Sequence, residues 1–89
     1  MRAISNLPML HDIDADYSPQ YVKLARIIRD KIRSGRYQRG DPLPSGDLAR
    51  EHEVSGAVAR HALRMLAANR YVALTEAIGA YHVTWQSGQ

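Results

Sequence analysis

Residues 44–63 read PSGDLAREHEVSGAVARHAL, and the way this stretch divides decides the fold. Ser45 reads as a helix cap with Asp47 in the first turn, where a carboxylate favours the positive end of a helix. A short helix then runs from about Gly46 to His52. A tight turn around Glu53, Val54 and Ser55 follows, and Ser55 caps a second helix over about 55–68. Its apolar positions Val58, Ala59, Ala62, Leu63 and Leu66 recur at three- and four-residue spacing and make an inward stripe. Asn69 is expected as a left-handed terminator. Two helices joined this tightly have the rhythm of a helix-turn-helix. Gly56 and Ala57, at the start of the second one, leave its entering end with little side chain.

Working outward, RYQRGDPLPS carries Gly40, Pro42 and Pro44 and cannot be helical. Leu43 between the prolines is read as a short extended segment that anchors this loop to the core. Before it, Ser18 and Pro19 mark a helix start, with a hydroxyl to cap and a proline at the first helical position. Val22, Leu24, Ala25, Ile28 and Ile32 fall on one face, and Lys23, Arg26, Arg29, Lys31 and Arg33 largely elsewhere. This predicts an amphipathic helix of about four turns, stopped by Gly35. After Asn69, YVALT and YHVTW are rich in β-branched and aromatic residues and flank the turn AIGA, which predicts a hairpin. The expected fold is mainly α with a small β-hairpin: three helices plus a two-stranded wing. The domain is expected over 18–84, after a flexible acidic arm at 1–17 and before a short tail at 85–89.

Eighty-nine residues suffice for one small domain. The chain has no cysteine, so a disulfide framework and a cysteine zinc site are excluded. No apolar run approaches the roughly 20 residues of a membrane span, and no signal peptide is visible; the expected location is cytoplasmic. The net charge is +3, and it is unevenly spread. Arg2 stands against Asp12, Asp14 and Asp16 in the leader, so the positive charge belongs to the domain and suits a polyanion. The four histidines have no metal-ligand spacing, and DIDAD lacks the glycine and distal glutamate of a calcium loop. No nucleophile-and-base constellation is present. No metal, no cofactor and no enzymatic activity are expected.

Together these residues resemble the GntR-type winged helix-turn-helix of bacterial transcription regulators over about Tyr21 to Val83. SGRYQRGDPLPS is similar to the family's helix-ending S-G and its G-D-x-L-P-S loop. LARE, V-S, Arg60, A-L at Ala62 and Leu63, and R-x-L at Arg64 to Leu66 follow in order. Three departures stand out. The segment between L-P-S and L-A is one residue short and holds Asp47. Gly56, Ala57 and Val58 stand where an arginine and threonines usually follow V-S. The wing reads TEAIGAYH in place of the frequent R-x-G-x-G-T, keeping Gly79 and an aromatic at Tyr81.

The resemblance implies a DNA-binding transcription regulator, expected to be a repressor, with the last helix in the major groove and nucleoid association when bound. Arg60 is the candidate for a base or phosphate contact, and Arg64 for a phosphate contact, each against a plain solvated arginine. Ser45 and Ser55 are candidates at the helix starts. Gly56 and Ala57 admit two readings: close approach to the DNA, with the Ala57 methyl on a thymine methyl, or a helix that no longer reads bases. His61 beside Arg60 and His82 in the wing are candidates for the backbone, each against an exposed histidine with no role; Gly79 marks the wing tip. Arg36 and Arg39 can add phosphate contacts, and Tyr81 is read as core. Double-stranded DNA is the expected partner, with a homodimer on a palindromic operator. The family usually carries a second domain that binds an effector; no effector pocket is assigned here. The alternative is a degenerate winged helix acting as a protein interaction module, and shape-based binding of double-stranded RNA is a third reading.

Overall fold

The computed structural model describes residues 18–86. In chain order it contains α1 (Gln20–Arg33), β1 (Pro42–Leu43), α2 (Ser45–Glu51), α3 (Gly56–Ala68), β2 (Val72–Thr75) and β3 (Ala80–Val83). The expected acidic arm at 1–17, with DIDAD and His11, lies outside the described residues, as do residues 87–89 of the tail.

Three helix boundaries differ from expectation, each for a local reason. Pro19 is the N-cap of α1 and not its first helical residue, with φ −55° and ψ 153°. The ring fixes only φ, so ψ stays extended while the Pro19 carbonyl accepts from Val22 and Lys23. Pro44 plays the same part for α2: it is extended, its carbonyl accepts from Leu48, and Ser45 is the first helical residue, with no side-chain capping bond. A proline before the helix therefore displaces the serine from the capping position. At the end of α3, Asn69 has φ −99°, so it is not left-handed; its side-chain amide donates to the Met65 carbonyl at 2.8 Å, and Arg70 takes the positive φ instead, at 67°. Gly35, with φ +87°, does end α1 as expected.

The loop before α2 is tied to the sheet by its backbone. Gly40, with φ +93°, donates to the Val83 carbonyl at 2.8 Å, and Val83 donates to the Asp41 carbonyl at 2.9 Å. The Asp41 carboxylate accepts from the Gln38 backbone N–H at 2.8 Å. Pro42 then sits on an edge strand, where a missing donor is harmless. Leu43 is buried. A β-carbon at Gly40 meets nothing within 4 Å, so only conformation opposes it. Gly40→Ala is expected to destabilise by about 1–2 kcal/mol, read as a lower urea midpoint with an unchanged m-value.

The segment anchored by Leu43 adds a third strand to the expected two. The antiparallel order is β1–β3–β2, with Leu43 and Leu74 both opposite Tyr81 and Val72 opposite Val83. Opposed residues share a face, so Leu43, Val72 and Val83 turn inward together. They meet Leu24, Ala25, Ile28 and Ile32 of α1, Leu48 of α2, and Ala59, Ala62, Leu63 and Leu66 of α3 in one buried cluster. Among the described residues no charged or polar side chain is buried with them. Ala59 and Ala62, both fully buried, keep the centre of α3 thin enough for α1 and α2 to pack close against it.

Candidate nucleic-acid interface

Burying Ala59, Ala62, Leu63 and Leu66 turns the opposite side of α3 outward. Ala57, Arg60, His61, Arg64, Met65 and Ala68 are exposed there. At 3.6 residues per turn, Ala57, Arg60 and Arg64 fall within an arc of about 60°. The helix holds two arginines and no Asp or Glu, so its outer face carries positive charge at Arg60 and Arg64 with no acid of its own to offset it. The Ser55 hydroxyl accepts from the Val58 amide at 3.1 Å, the cap expected of it. The connection to α2 is tight: Glu53 adopts φ 55°, and Val54 donates back to the Ala49 carbonyl at 3.0 Å.

Gly56 has a specific neighbour. A β-carbon built on it lies 3.2 Å from a terminal guanidinium nitrogen of Arg60. The Arg60 side chain thus lies back over the first turn of α3, in the space left by the missing side chain. The same pattern occurs ten residues earlier, where the position of a Gly46 β-carbon is 3.9 Å from a guanidinium nitrogen of Arg50. The segments are SGDLAR at 45–50 and SGAVAR at 55–60. They differ in electrostatics, because Arg50 is hydrogen-bonded to the Asp47 carboxylate while Ala57 stands at the matching place in α3. The reading from spacing missed this likeness, although the i to i+4 glycine–arginine interval was available in it.

The remaining candidates are distributed differently. Ser45 is half-buried at the start of α2, and Gly79 lies in the turn between β2 and β3 with φ +65°. The His61 ring stacks on Tyr21 of α1, with centroids 3.6 Å apart and planes 5° from parallel. It is therefore engaged with α1 and braces α3 against it, a role outside both readings made from the sequence. His82 is half-buried, and its Nδ1 lies 2.6 Å from the Thr75 hydroxyl across the hairpin. Tyr81 packs against the core as expected. Arg36 and Arg39 are exposed, and Arg39 donates to the Gln86 side chain at 2.5 Å. Ser55, Gly56, Ala57, Arg60 and Arg64 thus share α3 and its cap, whereas Gly79 and His82 belong to the wing. Among the described residues no group of three or more His, Asp or Glu can hold a metal, and no helix is long and apolar enough to cross a membrane.

Comparison with known proteins agrees with this geometry. A GntR family regulator from Listeria monocytogenes superposes with a TM-score of 0.67 at 26% identity, covering 78% of this chain and 61% of that one. A transcriptional antiterminator from Listeria monocytogenes EGD-e superposes with a TM-score of 0.71 at 17% identity, covering 83% of this chain and 55% of that one. The second likeness is one of fold alone, and in both cases this chain spans less than two thirds of the other. No curated protein matches. The family model for gntR bacterial regulatory proteins matches residues 20–81, which take in all three helices and most of the sheet, and a regulatory family of this kind is not one of enzymes. The chain belongs to the gntR family of bacterial regulatory proteins.

Proposed function

We propose that the chain binds double-stranded DNA with the N-terminal end of α3 in the major groove and acts in the cytoplasm as a repressor by occupying its operator. Arg60 makes the leading base or phosphate contact. Arg64, one turn further along, meets a phosphate, and Ser45 and Ser55 contact the backbone from the helix starts. The wing, with Gly79 at its turn, lies beside the backbone. A palindromic operator would be occupied by two copies. The observation that carries this reading is the outer face of α3, where Arg60 and Arg64 are exposed on a helix that bears no acidic residue.

Selecting bound genomic fragments and then titrating salt against the best of them tests the proposal. Affinity is expected to fall linearly in log–log form, with a slope of about −0.9 per phosphate contacted. Absence of retardation of any genomic fragment at about 50 mM salt would overturn it. The wing favours a second reading. Leu74 and Ile78 are exposed there, Ile78 by 71%, and the hairpin carries Glu76 and no Lys or Arg. Such a surface suits a protein partner better than a phosphate backbone. Under that reading Ile78→Lys abolishes the protein contact, whereas under the DNA reading it leaves retardation intact or strengthens it.

A further inference from the structure

SGDLAR in α2 and SGAVAR in α3 present the same device with one difference. In each, an arginine folds back over a glycine four residues before it. In α2 the third residue is Asp47, and it pairs with Arg50. In α3 the third residue is Ala57, and Arg60 has no ion-pair partner among the described residues. The other nearby acids are occupied or set apart: Glu51 pairs with Lys31 at 3.3 Å, and Glu53 lies in the turn. The Arg50 side chain is 76% exposed and that of Asp47 63%, so the pair stands on the surface and is open to a competing anion.

In helix-turn-helix docking the first helix of the pair crosses the DNA backbone. An exposed cation on α2 is therefore at the level of the phosphates, and a carboxylate beside it opposes them. Resting on the DNA reading above, we infer that Asp47 is a positioning residue that restrains DNA affinity: it holds the Arg50 guanidinium and withholds a phosphate contact that the chain otherwise has the means to make. A charge-assisted bond to Asp47 must be exchanged before Arg50 reaches a phosphate, and Asp47 itself repels that phosphate. Arg60 meets neither obstacle. The consequence is a division of labour in which contact is concentrated on α3 while α2 is kept weakly adhesive.

The test is a double-mutant cycle on the full chain, using the tightest-bound genomic fragment as probe. Asp47→Ala is expected to tighten binding about 3- to 10-fold near 100 mM salt and to steepen the log–log salt slope by about 1, the signature of one added phosphate contact. Arg50→Ala in the native background changes binding little. Arg50→Ala added to Asp47→Ala removes the gain in slope. A merely structural role for Asp47 moves the thermal midpoint, which is measured alongside, but not the slope. An unchanged slope in Asp47→Ala overturns the inference, and so does a double variant that keeps the full gain. Failure of the native chain and Asp47→Ala alike to bind at low salt overturns the DNA reading itself, whereas native binding without a gain overturns only the role of Asp47.

Discussion

Leu63→Ala is expected to lower the unfolding free energy by about 2–5 kcal/mol, the largest stability loss of any single truncation proposed here. Leu63 lies on the inner stripe of α3, is fully buried, and belongs to one cluster with Ile28 of α1, Leu48 of α2 and Val83 of the sheet, so its loss opens a void within the shared core. Its neighbours on the same stripe, Ala59 and Ala62, have no spare atoms to move into a void. Domains of this size have about 5–15 kcal/mol in total, with small ones toward the lower end. The change therefore removes a large fraction of the reserve, measured by urea titration. Ile27→Ala is the control: Ile27 is 45% exposed on α1, and its loss is expected to stay below about 1 kcal/mol. A Leu63→Ala loss no larger than that of Ile27→Ala would mean that the helices are not closed over a packed interior as described.

What was legible in the sequence was whatever repeats with the period of a helix or strand. The stripes of α1 and α3 named every buried residue of those helices, because burial on one face is enforced at every turn. Val22 and Val58, at the margins of the stripes, are only half-buried. Leu43 was legible as an anchor, since two prolines leave it no helical option. Its pairing opposite Tyr81 was not, because a two-residue strand has no period and its partner lies nearly forty residues on. The caps failed where propensity was read one residue at a time. Serine is a good cap, but an adjacent proline takes the extended position and has no side-chain acceptor to offer. The stack of Tyr21 on His61 joins residues forty positions apart, and no local pattern specifies it. Within the candidate interface, spacing identified Arg60 and Arg64 as outward-facing. The path of the Arg60 side chain back over Gly56 depends on atoms rather than on period.

That path gives the small residues at the head of α3 a physical meaning, and it can be tested. Arg60→Ala is expected to weaken binding to a preferred duplex by about 1–3 kcal/mol, roughly 5- to 150-fold. Thermal stability should change by less than about 0.5 kcal/mol, because the side chain is exposed and lacks an ion-pair partner among the described residues. The charge-conserving Arg60→Lys then separates the two kinds of contact. A guanidinium on a guanine edge makes two parallel hydrogen bonds that an ammonium cannot reproduce, so Arg60→Lys loses discrimination between sites while keeping the salt slope. A phosphate contact needs mainly charge, so Arg60→Lys then stays close to native on every sequence. Gly56→Ala completes the argument. The new methyl, 3.2 Å from the guanidinium in its present position, requires the flexible end of the Arg60 side chain to shift by a few tenths of an ångström off the first turn, which it can do without unfolding the helix. If the first turn of α3 is what enters the groove, moving the guanidinium away from it weakens specific binding, even though alanine is a better helix former than glycine. Unchanged specificity in Gly56→Ala, together with a full loss in Arg60→Ala, would mean instead that Arg60 swings outward on binding and that Gly56 has no part in placing it.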